Sequence, residues 1–251
     1  MKIKHIYKKL LFLCLWTLTS CSSDIDTFLK NKENVSQIIA HQGNWQYEGL
    51  KRNSVEALKS ALQWGFYGSE CDIRMTIDSV FVIRHDDDFH GMKISSTKYQ
   101  DLKGYILDDE YLFTLDEFLK ALENSPLSPT KLILDLKHVD VERLLSEIES
   151  RGLENRIEFL STKKHINSLV NAGYSQIIWC YDSNVTLQEA AELSLKGVAY
   201  NIEIVRFNEN IISEIQSLGM EAGIWTVNDK EDIKHYVNLG YKVISDRPIQ
   251  K

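Results

Sequence analysis

Residues 67–73, Tyr67-Gly68-Ser69-Glu70-Cys71-Asp72-Ile73, form a β-rich run that carries two acids two positions apart. Side chains alternate faces along a strand, so Glu70 and Asp72 share one face while Cys71 turns away to pack. Two carboxylates on one face repel unless a cation or a proton lies between them, which makes the pair a metal site or a strained dyad. The neighbouring runs favour the metal: Ile38-Ile39-Ala40 ends in His41, and Val80-Phe81-Val82-Ile83-Arg84 ends in His85. Two strand-end histidines around a pair of acids suggest proton transfer beside a metal.

Outward from this stretch, apolar β-rich runs alternate with helical patterns, the signature of βαβ units and a parallel sheet or barrel. Strands are predicted at 38–41, 67–73, 80–85, 131–136, 156–160, 175–180, 197–201, 220–226 and 242–245. Nine runs for the eight slots of a (β/α)8 barrel leave one over. The gap between the second and third is too short for a crossover helix, so Arg74 to Asp78 is read as an extended return. The expectation is an α/β fold, a TIM barrel with one helix replaced by a hairpin and a small insertion, about 86–113, after the third run. Helices are expected at Ser54–Trp64, after the capping box Thr114-Leu115-Asp116-Glu117, and at Val139–Ile148 and Lys230–Leu239. Sites in such barrels lie at the C-terminal strand ends. His41, Glu70, Asp72 and His85 fall there, as do Asp135 and Lys137, again two apart, and Trp225.

The 251 residues suffice for one large domain. Lys2, Lys4, Lys8 and Lys9 precede the apolar run Leu10 to Leu18, which is too short to span a bilayer. That run ends Leu18-Thr19-Ser20-Cys21 and resembles a bacterial lipoprotein signal, with an ordinary signal peptide as the alternative. The expected organisation is a signal peptide at 1–20, a lipidated Cys21, a tether at 21–36 and a barrel domain at 37–251, exported and anchored to a membrane by lipid. Loss of residues 1–20 removes four lysines and no acid, moving the formal charge from −7 to −11, which argues against nucleic acid as partner. Cys71 and Cys180 lie in apolar strand runs and read as separate small hydrophobes without a disulfide. His138, His165 and His235 fall on helices or their starts and are expected exposed; His90 lies in the rim insertion.

Taken in order, the motifs resemble the glycerophosphodiester phosphodiesterase family. They are Ile39-Ala40-His41-Gln42-Gly43, Asn53-Ser54, Ser69-Glu70-Cys71-Asp72-Ile73, Thr76 and Asp78, His85-Asp86, Thr114 and Glu117, Leu134-Asp135-Leu136-Lys137, Ile224-Trp225-Thr226-Val227-Asn228, and Ile244-Ser245-Asp246-Arg247-Pro248. The resemblance implies a barrel enzyme that uses one Mg²⁺ or Ca²⁺ to cut glycerophosphodiesters into glycerol 3-phosphate and an alcohol. It assigns His41 and His85 as base and acid, Glu70, Asp72 and Asp135 as metal ligands, and Lys137 as a holder of phosphate charge. Trp225, near a strand end, offers by its own chemistry a flat apolar wall that suits a glycerol backbone. Hard oxygen ligands suit Mg²⁺ or Ca²⁺ over zinc.

Three departures stand out. The family's His-Arg-Gly is His41-Gln42-Gly43, its Glu-Asn-Thr is Arg52-Asn53-Ser54, and its third acid, usually Glu, is Asp135. The paired change suggests that Arg52 restores the cation lost at Gln42. Two other readings compete: a phospholipase-like barrel acting on a lipid, and a surface lipoprotein that binds phosphoesters without turnover. The polar rim counts against the first, and the retained histidines and acids against the second.

Overall fold

A computed structural model describes residues 27–29, 31–47, 49–104, 111–181, 186–208 and 210–249. After a one-turn helix α1 (Lys32–Val35) come β1 (Ile38–Ala40), α2 (Val55–Trp64), β2 (Gly68–Met75), β3 (Phe81–Ile83), the small hairpin β4 (Asp88–Phe89) and β5 (Met92–Lys93), and α3 (Tyr99–Lys103). The chain continues through α4 (Leu115–Glu123), β6 (Lys131–His138), α5 (Val141–Glu149), β7 (Ile157–Ser161), α6 (Lys163–Asn171), β8 (Ile177–Cys180) and α7 (Leu187–Glu192). It ends with β9 (Gly197–Asn201), α8 (Ile202–Phe207), α9 (Ile211–Ser217), β10 (Glu221–Trp225), α10 (Lys230–Asn238) and β11 (Lys242–Ser245).

Strand order is β1-β11-β10-β9-β8-β7-β6-β2-β3, and a further pairing of β1 with β2 closes eight parallel strands into a TIM barrel. The ninth strand, β3, pairs antiparallel on β2, as Ile73 opposite Ile83 shows. The hairpin thus stands directly after β2, where a helix would otherwise follow, and the crossover to β6 is carried by α4 beyond the insertion. That insertion has its own small apolar cluster of Val82, Phe89, Ile94, Leu102 and Leu112, which seats it on the rim.

Alternation along the strands sorts the interior from the shell. Ile39, Ile133, Leu160, Ile178, Ala199 and Ile244 form the inner core. Residues one position away, such as Ile38, Cys71, Leu132, Leu134 and Phe159, pack outward against the helices. The helix starts are capped as expected: Ser54 accepts from Ala57 N at 3.1 Å, and Thr114 with Glu117 completes a capping box.

The expected tether at 21–36 differs. Residues 1–26, including Cys21, lie outside the described residues, but Leu29 and Val35 are buried in the main core. The packed domain therefore begins ahead of residue 37, because this segment supplies apolar side chains that cover the strand starts. Val35 O accepts from Tyr67 N at 3.3 Å, and Lys242 Nζ donates to Ser36 O at 3.2 Å.

At the opposite end from the strand-end acids, Glu158 is fully buried with Lys131 Nζ 2.8 Å away and Lys196 Nζ in contact. Burial opposes its ionisation, but hydrogen bonds from Lys131 and Lys196 outweigh it and hold its pKa below the ordinary 4.5. Because the folded value is the lower one, the carboxylate's contribution is full above pH 4.5 and is lost as pH falls through the depressed pKa. Glu158→Gln, which leaves two lysines beside a neutral amide, is expected to cost ~3 kcal/mol at pH 7 in urea denaturation. The gap from wild type should hold constant down to about pH 5 and narrow below it; a gap unchanged at pH 3 would contradict this account.

Candidate active site

Register fixes the centre of the site. Strands β2 and β6 pair with Gly68 opposite Lys131, Glu70 opposite Ile133 and Asp72 opposite Asp135, so Glu70, Asp72 and Asp135 all point into the barrel mouth. One oxygen from each lies within 4.8 Å of the others. Gly68, just below, leaves room for Ile133, since a Cβ there would sit 2.5 Å from Ile133 Cδ1.

The first loop then locks onto these carboxylates. Gln42 and Asn53 both take left-handed backbone, φ 56° and 53°, which costs a non-glycine residue ~1 kcal/mol each. Asn53 N donates to Gln42 O at 2.9 Å, tying the two together. Gln42 N donates to Glu70 Oε2 at 2.8 Å and Gln42 Nε2 to Asp72 Oδ2 at 2.7 Å. Asn53 Nδ2 donates to the same Asp72 oxygen at 2.9 Å and its Oδ1 accepts from Asp72 N at 3.1 Å. Gly43 follows in close packing, where a Cβ would lie 2.6 Å from Ala57 Cβ.

One lysine reaches the triad: Lys137 Nζ is 2.7 Å from Asp135 Oδ2 and 3.1 Å from Asp72 Oδ1. Burial opposes ionisation of Asp72, but Lys137, Asn53 and His85 outweigh it and keep its pKa low. Burial, helped by the Asp72 charge, pushes Asp135 up in spite of Lys137. Glu70 has no lysine partner among the described residues. Burial first, then the charge of Asp72, pushes it up to about 8 against the pull of His41. Its Oε1 is buried with no hydrogen-bond partner among the described residues. At an effective dielectric near 20, each carboxylate pair at this spacing repels by ~3.5 kcal/mol, so Glu70 is the acid that holds a proton or requires a cation. A compact set of hard oxygens, one of them unsatisfied, fits Mg²⁺ or Ca²⁺.

His41 follows β1. Its Nδ1 lies 2.9 Å from Asp246 Oδ1, and its Nε2 faces inward, 3.9 Å from Glu70 Oε2. Asp246 follows β11, the barrel neighbour of β1, and is positioned by Asn228: Nδ2 donates to Asp246 Oδ2 at 3.0 Å, and Asp246 N donates to Asn228 Oδ1 at 2.9 Å. Burial would lower the His41 pKa, but the Asp246 hydrogen bond and the charges of Glu70, Asp246 and Asp72 push it up to about 9. His85, after β3, is the more exposed histidine; its Nδ1 lies 2.7 Å from Asp86 Oδ1. The His85 carbonyl accepts from Arg74 Nε and Nη2 at 2.9 and 2.6 Å, which anchors that loop to β2.

The sequence-predicted residues therefore converge. His41, Glu70, Asp72, His85, Asp135, Lys137 and Trp225 border an inner pocket of about 180 Å³, and His41, Gln42, Arg52, His85 and Trp225 also border an outer cavity of about 870 Å³. Trp225 spans both, and its Nε1 has no hydrogen-bond partner among the described residues. Gln42 is buried with its amide turned onto Asp72, and Arg52 lies on the cavity wall stacked over Trp45 at 4.1 Å. Sequence reasoning gave no role to Asn53, Asn228 or Asp246. Their motifs are visible in the chain, but that Asp246 meets His41 follows only from the β1–β11 closure. His165 corrects an expectation: it is buried, because α6 turns it toward the barrel, where Nε2 lies 3.4 Å from Lys137 O.

A closed barrel with inward acids, a lysine and two acid-backed histidines at its C-terminal strand ends defines a barrel enzyme. The profile of the glycerophosphoryl diester phosphodiesterase family matches residues 41–250, and the chain belongs to that family. It is 24% identical over 243 residues to a glycerophosphodiester phosphodiesterase of Caldanaerobacter subterraneus subsp. tengcongensis, covering 84% of this chain and 94% of the relative. Among solved structures, a glycerophosphodiester phosphodiesterase from Parabacteroides distasonis is 28% identical with a TM-score of 0.76, covering 84% of this chain and 92% of that one. An Oleispira antarctica phosphodiesterase, solved with the product sn-glycerol-3-phosphate, is 22% identical with a TM-score of 0.66, covering 85% and 94%, and its likeness is one of fold.

The elevated His41 pKa has a direct test. In chelator-treated protein, the His41 ring resonances should titrate near pH 9, and Asp246→Asn should move the midpoint down toward 6.5 as burial gains over attraction. Because the folded value is the higher one, the stability this proton contributes is full below pH 6.5 and is lost as pH rises through about 9. A wild-type midpoint at or below 6.5 would contradict the geometry.

Proposed function

We propose that this protein hydrolyses glycerophosphodiesters to glycerol 3-phosphate and an alcohol by acid–base catalysis between His41 and His85. The observation that carries the reading is the inward triad with its unsatisfied Glu70 oxygen, placed beside a histidine whose outer nitrogen is held by Asp246. Glu70, Asp72 and Asp135 would hold one Mg²⁺ or Ca²⁺. Such an ion, when bound, supplies Lewis-acid charge to the phosphoryl oxygens and offsets the carboxylate charge.

Once the charge of Glu70 and Asp72 is offset, two of the attractions that keep the proton on His41 are lost, and Nε2 becomes a base for the glycerol 2-hydroxyl or a water. Asp246 holds the ring through Nδ1 and stabilises the imidazolium that forms. His85, backed by Asp86, stands across the pocket as the acid for the leaving alkoxide. Lys137 Nζ holds phosphate charge beside Asp135 and Asp72. Arg52 supplies the cation that Gln42, committed to Asp72, cannot. Glycerol 3-phosphate in the Oleispira antarctica structure is the product this reaction would release here.

Export and lipid anchoring at Cys21 are proposed from the basic and apolar N-terminal run alone. Among the described residues, no helix is long and apolar enough to cross a membrane.

The reading is checked by release of glycerol 3-phosphate from a panel of diesters. Chelation is expected to abolish release and added Mg²⁺ or Ca²⁺ to restore it, and His41→Ala to lower kcat by ~10³-fold while cation binding persists. Arg52→Ala should raise KM by about tenfold with little change in kcat, as loss of one charged hydrogen bond implies. Chelator-insensitive release, or full activity in His41→Ala, would defeat the mechanism.

A further inference from the structure

Exposed apolar side chains gather on one arc of the barrel floor, the end at which the strands start. Leu127, Leu239 and Trp64 are exposed by 97%, 45% and 38%. Single exposed hydrophobics are ordinary, but a contiguous set marks an interaction surface. Trp64 ends α2 and so precedes β2, Leu127 lies in the loop from α4 to β6, and Leu239 caps the end of α10 before β11. Around the barrel these strands follow one another as β11-β1-β2-β6. The remaining position in that arc, ahead of β1, is taken by the N-terminal segment that carries α1.

These side chains are held in place. Pro126 and Pro129 stiffen the loop that carries Leu127, and Ser128 Oγ ties it to α2 by donating to Leu62 O at 2.8 Å. Trp64 meets Tyr47 edge-on at 5.4 Å and stacks with Phe66 at 6.4 Å. Ile77, Tyr111 and Ile204 are exposed as well, but toward the opposite end, in segments that follow β2, β3 and β9.

Chain length decides what can cover the arc. Leu29 and Val35 are buried in the main core, and Asn34 Nδ2 donates to Phe28 O at 2.8 Å, so residues 28 and 29 already belong to the packed floor. Five residues, 22–26, separate Cys21 from Thr27. The six Cα steps from Cys21 to Thr27 reach at most ~20 Å. A lipid on Cys21 therefore keeps the floor beside Thr27 close to the bilayer that holds it. Over so short a tether the contact is intramolecular, and a few apolar side chains suffice to close it.

We propose that the floor arc of Trp64, Leu127 and Leu239 is a docking face for the surface of a lipid bilayer, the one that holds the anchor at Cys21. This rests on the anchoring reading above. Leu127 and Leu239 enter the boundary between headgroups and acyl chains, and Trp64 lies at headgroup level, where an indole is favoured. The mouth with His41 and His85, at the far ends of the strands, then opens to the aqueous side. The diesters that reach it are those dissolved in water, not the lipids underneath.

The test uses the full mature lipoprotein, reconstituted in vesicles of phosphatidylethanolamine and phosphatidylglycerol. A fluorophore is attached at Leu127→Cys or Leu239→Cys on the floor, or at Ile77→Cys on the opposite end, and the signal of labelled wild type, from Cys71 and Cys180, is subtracted. All three positions are exposed, so the substitutions cost little stability. Nitroxide lipids should quench the label at both floor positions about threefold or more above the label at 77. Quenching at either floor position no greater than at 77 would overturn the docking face. Shielding of the floor labels from aqueous iodide without quenching by the lipids would put a second copy of the chain there instead, and would also overturn it. The mass of the N-terminal peptide separates this failure from that of the anchor, since an unacylated Cys21 sinks the anchoring reading. The face would then stand or fall on the same quenching with vesicles mixed with the protein.

Discussion

Three carboxylates that must face one another, with one lysine between two of them, are the constraint around which the mouth of this barrel is organised. Parallel pairing of β2 with β6 places Asp72 beside Asp135, and the two-residue period of β2 adds Glu70 on the same face. Lys137, two residues beyond Asp135, relieves Asp72 and Asp135 and leaves Glu70 with one buried oxygen that has no hydrogen-bond partner among the described residues. Buried like charges of this kind favour a cation or force a proton onto one acid.

The remaining parts of the site hold that arrangement. Gln42 and Asn53 accept an unfavourable backbone conformation so that three of their N–H groups can be spent on Glu70 and Asp72. Closure of the barrel through β1 and β11 brings Asp246 to His41 across 205 positions of sequence. His41 is thereby held between two acids, its inner nitrogen facing Glu70 and its outer nitrogen facing Asp246. The hairpin β2–β3 and the rim insertion deliver His85 from the other side.

Much of this was legible in the chain. The nine strand runs, the hairpin, the Thr114 capping box and the shared faces of Glu70 with Asp72 and of Asp135 with Lys137 follow from local periodicity, which sequence displays directly. What sequence does not display is partnership at long range: Asp246 with His41, Asn53 with Asp72, and the burial of His165 under Lys137. Gln42 is instructive, since a substitution read as a lost phosphate contact turns out to place its amide on a carboxylate. The start of the packed domain was also hidden, because Leu29 and Val35 sit in a polar stretch and reveal their burial only against the strand starts.

The central claim is that the triad is a cation site built around Glu70. Calorimetric titration of Ca²⁺ and Mg²⁺ into chelator-stripped protein measures it most directly. The account predicts one site per chain for at least one of these ions, with release of the Glu70 proton on binding at pH 7 that fades as pH rises through about 8, and loss of both in Glu70→Gln. Binding that survives in Glu70→Gln with unchanged affinity and stoichiometry, or no binding of either ion to the wild type, would contradict it.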